Sequence, residues 1–198
     1  MKIGITGSIA CGKSTVSAYL RALGHPVVDA DAISRALTAP GGEALPLLRE
    51  TFGVAVFDGD ALNRQALGAL VFSSGEARAQ LNALLHPLII ARCARELAAL
   101  DAPDGLVFGD VPLLYECGME RLFDHVWVVC APRERQIERL RTRDGLSRDQ
   151  AIARIDAQMP QQEKIARADA VIDTDAAPEQ TRLRVNALLG QLRERSHT

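Results

Sequence analysis

No run of the 198 residues approaches the roughly 18 consecutive apolar positions that a membrane span needs. The longest apolar pieces, around LVFGDVPLLY and VWVVCA, have the length of strands, so no membrane association is expected. A large excess of charge of one sign is also missing: the formal net charge is −2, which gives no ground for a nucleic-acid surface, although local basic patches could still handle a phosphorylated small molecule. There are only four cysteines, Cys11, Cys93, Cys117 and Cys130, with no C-x-x-C spacing, and no charged-then-apolar leader stands at the N-terminus. That pattern reads as a reduced, cytoplasmic protein. Internal repeats and low-complexity tracts are absent. Lysine is scarce: Lys2, Lys13 and Lys164 are the three in a chain that otherwise carries its positive charge on arginine. None of them lies in an [NT]-K-x-D guanine-reading motif, which argues against a GTPase.

What is present is apolar material for one compact core with a small appended subdomain, 47% of the residues being hydrophobic. Strand-like and helical runs alternate. KIGIT (2–6) is β-branched and ends at Gly7, and residues 13–23 carry Val16, Leu20 and Leu23 at helical spacing before Gly24. HPVVDA reads as a second strand, followed by a helix from Asp31 to about Thr38. From 42 to 101 no strand is evident, and an Ala- and Leu-rich helical pattern predicts an insertion. Strands return at 105–111, 124–131 and 169–174, an Arg-rich helical segment fills 133–167, and a last helix runs from Pro178 to about Arg195. This alternation predicts an α/β fold: a parallel sheet with helices on both faces, reached by right-handed crossovers.

One stretch carries chemistry. Gly7-Ser8-Ile9-Ala10-Cys11-Gly12-Lys13-Ser14 fits G-x-x-x-x-G-K-[ST], continues into Thr15, and sits between a strand and a helix. Small residues let backbone N–H groups converge on phosphate oxygens, the helix N-terminus adds its positive dipole end, and Lys13 reaches the β and γ phosphates. Ser14 offers a hydroxyl to Mg²⁺. Keeping lysine here in an arginine-rich chain suggests that a compact ammonium is required.

A phosphate loop indicates nucleotide binding without fixing the reaction. A kinase for a small molecule needs an acid for the acceptor hydroxyl, a further Mg²⁺ contact and cations for the transferring group. Asp29 and Asp31 fall where the second strand meets a helix, at the carboxyl edge of the sheet where ligands of open α/β folds bind. Each could instead be a helix cap, a role to which Asp31 is well suited. Asp110 closes the strand run LVFGD, the position of a metal-holding carboxylate. Gln136, Arg139 and Arg143 lie at i, i+3, i+7 and share a helix face that could close over a nucleotide, or could simply be solvated. Two other readings stay open: a kinase for another hydroxylated acceptor, such as a nucleoside monophosphate or shikimate, and a nucleotide-dependent switch that transfers no phosphate.

Taken together, GITGSIACGKST, DADAISR, LNALLHPLI, DVPLLYE, QIERLRTRDGLSRDQAIARIDAQ and KIARADAVIDT resemble the dephospho-coenzyme A kinase family over nearly the whole chain. The resemblance implies a three-layer P-loop NTPase core (1–41 and 102–198), a helical lid (about 133–167) and a helical acceptor-binding insertion (42–101). It implies transfer of the ATP γ-phosphoryl group to the ribose 3′-hydroxyl of dephospho-CoA, with ATP and Mg²⁺; the sequence does not reveal the oligomeric state, and a monomer is the expectation. Asp31 is implied as the base or orienting carboxylate, with Arg35 near the substrate and Arg139 and Arg143 as lid arginines. Asp29 and His86, the latter before a helix-starting Pro87, are implied on the acceptor side. The loop after VID, at Thr174, is where the family contacts adenine. Ser8 and Ala10 stand where glycines are frequent, and Thr174 where asparagine is frequent, so a hydroxyl replaces an amide there. Cys11 would be a reactive thiol if it faced outward.

Overall fold

The computed structural model describes residues 1–196. The chain divides into two compact units, one made of Met1–Val28 and everything from Ala99 on, the other of Asp29–Ala98.

The first unit is built on a five-stranded sheet. Its strands are β1 (Lys2–Gly7), β2 (Val27–Asp29), β5 (Val107–Asp110), β6 (His125–Cys130) and β7 (Ala170–Asp173), in the order β2-β5-β1-β6-β7. β1 runs parallel to both β5 and β6, and β6 runs parallel to β7. Parallel strands covered on both faces read as continuous apolar runs, and from Ile3 to Gly7 and from Val126 to Cys130 every residue is buried. On one face α1 (Lys13–Ala22) and α9 (Pro178–Ser196) supply Val16, Leu20, Val185, Leu188, Leu189 and Leu192 against Ile3, Ile5, Phe108, Trp127, Val129 and Ile172. The Phe108 and Trp127 rings lie 5.5 Å apart at its centre. Each such side chain contributes about 1.5–3 kcal/mol through burial.

The Arg-rich segment predicted as one helical stretch is three helices: α6 (Arg133–Asp144), α7 (Arg148–Asp156) and α8 (Gln161–Ala166). Gly145, at φ 68°, ends α6 in the left-handed region. A capping box of Ser147 and Gln150 then starts α7. A small core of Ile137, Leu140 and Ala151 joins these two helices.

The second unit comprises α2 (Ala30–Leu37), α3 (Leu45–Phe52), α4 (Arg64–Ser73) and α5 (Gly75–Ala99). The expectation that 42–101 holds no strand is corrected. β3 (Phe57–Asp58) and β4 (Ala61–Leu62) pair antiparallel around Gly59, whose φ is 61°. Two-residue strands are too short to display an alternating pattern, and only the turn residues signal them. Arg49 braces the turn, lying 4.4 Å above the Phe57 ring and donating to Gly59 O at 2.7 Å. Pro87, expected to start a helix, lies inside α5.

Candidate active site

The loop from Gly7 to Gly12 connects the central strand to α1. Gly12 precedes the helix at φ 87°, and a Cβ there would lie 2.9 Å from Thr174 Oγ1. A Cβ on Gly7 would collide with the Val129 carbonyl oxygen and Cys11 Sγ. Glycine is therefore required at both ends of the motif, by close approach at the first and by backbone angle at the second. Between them Ala10 takes φ 59°, the one non-glycine with positive φ among the described residues. The Cys11 N–H closes the turn onto Ser8 O at 3.2 Å. Cys11 itself faces inward and is 1% exposed. Burial raises its thiol pKa, against the opposing pull of the Lys13 N–H and the charges of Lys13, Lys164 and Arg139. Ser14 and Thr15 are exposed in the first turn of α1.

Lys13 Nζ is paired with Asp110 Oδ1. The register that sets Ile5 beside Asp110 carries this carboxylate to the end of β5, next to the loop, so the two chemical expectations meet in one ion pair.

The three residues predicted to share a lid face separate sharply. Gln136 is 2% exposed, and its Nε2 donates to Ala131 O and Gln161 Oε1. Arg139 is half-buried. Its Nη1 donates to Ala10 O and Thr174 Oγ1, both at 3.1 Å, and its Nη2 donates to Thr174 O at 2.8 Å. Arg143 is exposed and forks onto its neighbour Asp144, at 2.7 and 2.9 Å. At about 100° and 1.5 Å per residue these three positions stay within about 60° of one face but spread over about 10 Å of the helix axis, so one core, one loop contact and one solvent position result.

Thr174 lies just beyond β7. Its hydroxyl donates to Cys11 O at 2.6 Å and accepts from Arg139, and its N–H donates to Cys130 O at 3.0 Å. The residue expected at the adenine contact is thus tied to the phosphate loop as well. Two side chains the sequence did not single out also matter. Gln158 Oε1 accepts from Ile9 N–H at 2.7 Å. Lys164 is fully buried and bonded to Glu116 and Pro112 O.

In the other unit, the cap of α2 is Asp29 and not Asp31. Asp29 Oδ1 accepts from Ala32 N–H at 2.9 Å, with φ −109° and ψ 109°. Asp31 and Arg35 stand one turn apart with exposed side chains, and His86 is half-buried within α5.

Among the described residues no cluster of three or more His, Cys, Asp or Glu could cage a metal. The two donors expected from the sequence are the Ser14 hydroxyl, exposed in the first turn of α1, and the Asp110 carboxylate, paired with Lys13. Hard oxygen donors in that small number fit Mg²⁺, which is commonly held by one or two protein groups together with substrate phosphates.

A glycine-rich anion cradle at the end of the central strand of such a sheet, with its lysine and a strand-end aspartate paired beside it, defines a P-loop phosphotransferase of the kinase class. The sequence profile of the dephospho-CoA kinase family matches residues 1–180. The chain is 51% identical over 193 residues to a dephospho-CoA kinase of Anaeromyxobacter dehalogenans, covering 96% of this chain and 92% of the relative. Among solved structures it is similar to TT1252 from Thermus thermophilus, with 41% identity, a TM-score of 0.82 and 97% of both chains covered. It is also similar to a dephospho-CoA kinase from Campylobacter jejuni, with 28% identity, a TM-score of 0.76 and coverage of 99% and 100%. The chain belongs to the dephospho-CoA kinase family.

Proposed function

We propose that this enzyme transfers the γ-phosphoryl group of ATP to the ribose 3′-hydroxyl of dephospho-CoA, giving coenzyme A and ADP. Beside the family assignment, the observation that carries this reading is the Lys13–Asp110 pair at the mouth of a glycine-constrained loop. The backbone N–H groups of the loop and the α1 N-terminus receive the phosphates, and Lys13 moves from Asp110 to the transferring group. The acceptor oxygen forms a bond to the γ phosphorus as the bond to the bridging oxygen of ADP breaks. Asp31 takes up the hydroxyl proton. Ser14 and Asp110 would hold Mg²⁺, which when bound neutralises charge on the phosphate oxygens. Arg139 and Arg143 act where negative charge develops. Asp29, Arg35 and His86 serve the acceptor side, His86 from within an acceptor-binding insertion at 42–101, and residues 133–167 act as the lid. Thr174 shapes the adenine side while its hydroxyl holds Cys11 O and Arg139. Four free cysteines and the absence of any described helix long and apolar enough to cross a membrane support a cytoplasmic setting, and we assign a monomer.

The test is to incubate the protein with ATP, Mg²⁺ and dephospho-CoA and look for coenzyme A by mass, with a nucleoside monophosphate and shikimate as rival acceptors. ADP release that does not depend on dephospho-CoA, or that depends equally on a rival, would refute the assignment.

A further inference from the structure

Residues 158–164, QMPQQEK, lead from α7 into α8 and bond to the segments that follow three adjacent strands. After β1, Gln158 Oε1 accepts from Ile9 N–H at 2.7 Å. After β5, Met159 N–H donates to Glu116 Oε1 at 3.1 Å, and Lys164 Nζ donates to Pro112 O at 3.3 Å. After β6, Gln161 Oε1 accepts from Ala131 N–H at 3.2 Å. The stem of the lid is therefore a strut across the carboxyl edge of the sheet, and Gln158 is its contact with the phosphate loop.

That contact falls beside a strained residue. Ala10 has φ 59°, a region that alanine enters only when its surroundings impose it. The restraints are visible on both sides. The N–H before Ala10 is held by Gln158 and the carbonyl of Ala10 by Arg139, while the side chains of Ile9 and Ala10 pack on Ile137, Leu140 and Ala151 of α6 and α7. We infer that Gln158 is a positioning residue for nucleotide binding: its side-chain carbonyl holds Ile9 and Ala10 in the shape that receives the phosphates, so that lid and loop take ATP as one body. This rests on reading the loop as the ATP site. Gln158 touches no reacting atom. It acts through the loop backbone, and its effect belongs in nucleotide affinity more than in the transfer step.

The test uses the full chain as parent, Gln158→Ala, Ala10→Gly and the double variant. MgATP affinity is read by calorimetry without acceptor, kcat and KM with dephospho-CoA, and Tm separately. One net hydrogen bond corresponds to a loss of about three- to tenfold in MgATP affinity for Gln158→Ala, with KM for ATP rising in step and kcat falling less than twofold. Glycine takes φ 59° without restraint, so Ala10→Gly in the Gln158→Ala background recovers most of the lost affinity. A Gln158→Ala protein with lowered Tm and parental ATP affinity overturns the inference. So does tighter ATP binding, which would make Gln158 a competitor of phosphate for the Ile9 N–H, and so does a double variant that recovers nothing. Because affinity is read without acceptor, a parent that binds ATP but makes no coenzyme A refutes the acceptor assignment and leaves this comparison decisive. A parent that binds no ATP overturns both.

Discussion

Lys164 is fully buried, and its ammonium lies 2.7 Å from Glu116 Oε1, whose own side chain is 22% exposed. Breaking a buried pair is costly mainly for the charge left behind, and the two partners are unequally buried. Removing Lys164 leaves a carboxylate that can turn towards water. Removing Glu116 leaves an ammonium with Pro112 O as its remaining acceptor among the described residues. Glu116→Leu is therefore expected to lose about 3–5 kcal/mol, and Lys164→Met roughly half as much on that same scale. Denaturant midpoints of the two variants check the order, and equal losses would contradict the argument.

For the carboxylates of the second unit, the cap geometry assigns opposite signatures. Asp29 caps α2 through the Ala32 N–H, so Asp29→Ala should cost about 1 kcal/mol of stability, and Asp29→Asn almost none. Asp31→Asn should melt with the parent, bind ATP and form coenzyme A at least about a hundredfold more slowly, the range of general-base assistance. Turnover of Asp31→Asn above about a tenth of the parental rate, well short of that range, would move the base to Asp29 or Asp110.

The two arginines proposed for the lid should behave differently. Arg139→Ala removes charge-assisted bonds to Ala10 O, Thr174 Oγ1 and Thr174 O, and a loss of about 2–3 kcal/mol in stability accompanies its loss of turnover. Arg143→Ala breaks an exposed pair with Asp144, worth no more than about 1 kcal/mol, yet should lower kcat at least about tenfold through lost transition-state charge. Melting curves and initial rates of both variants separate the roles.

Thiol reactivity follows burial. Cys11, Cys93 and Cys130 are buried and Cys117 is intermediate. Burial pushes the Cys93 thiol up to about 12 and Cys130 to about 11, with nearby acidic groups adding to it. A disulfide reagent at pH 8 should label Cys117 first and Cys11 no faster than the chain unfolds. Rapid labelling of Cys11, located by peptide mass, would contradict its inward orientation.

A pH effect on stability is expected at His25. Burial lowers its pKa below the ordinary value, opposed in part by the charge of Asp104, 3.6 Å away. The folded state thus binds the proton less well than the unfolded chain. His25's contribution is complete above the unfolded pKa of about 6.5 and is lost as pH falls from there through the lower folded value. Melting temperatures between pH 7.5 and 5.5 should decline, and less steeply in His25→Phe. Identical slopes would remove His25 as a contributor.

The fold was legible where burial leaves a mark on composition. β1, β5 and β6 are covered on both faces and stand out as apolar runs, and Gly7 and Gly12 of the phosphate loop are fixed by a close approach and a backbone angle respectively. The β3–β4 hairpin was not legible, because two-residue strands carry no period. Which of two neighbouring aspartates caps α2 depends on the extended backbone of Asp29, which composition does not encode. Gln158 closes the stretch QIERLRTRDGLSRDQAIARIDAQ, yet its role was not legible there, because its partner lies 149 residues away and the spacing of an amide does not show what it bonds. The i, i+3, i+7 stripe of α6 was real as a spacing and wrong as a shared environment.

The phosphate loop is written near the start of the chain and completed near its end. Its side-chain partners arrive 97 residues later with Asp110, 129 with Arg139, 149 with Gln158 and 163 with Thr174. During synthesis the motif must wait as an unsupported segment, since closing such distant contacts is slow and comes late in folding. A chain cut short before residue 174 therefore has the nucleotide-binding motif without the side chains that hold it in shape.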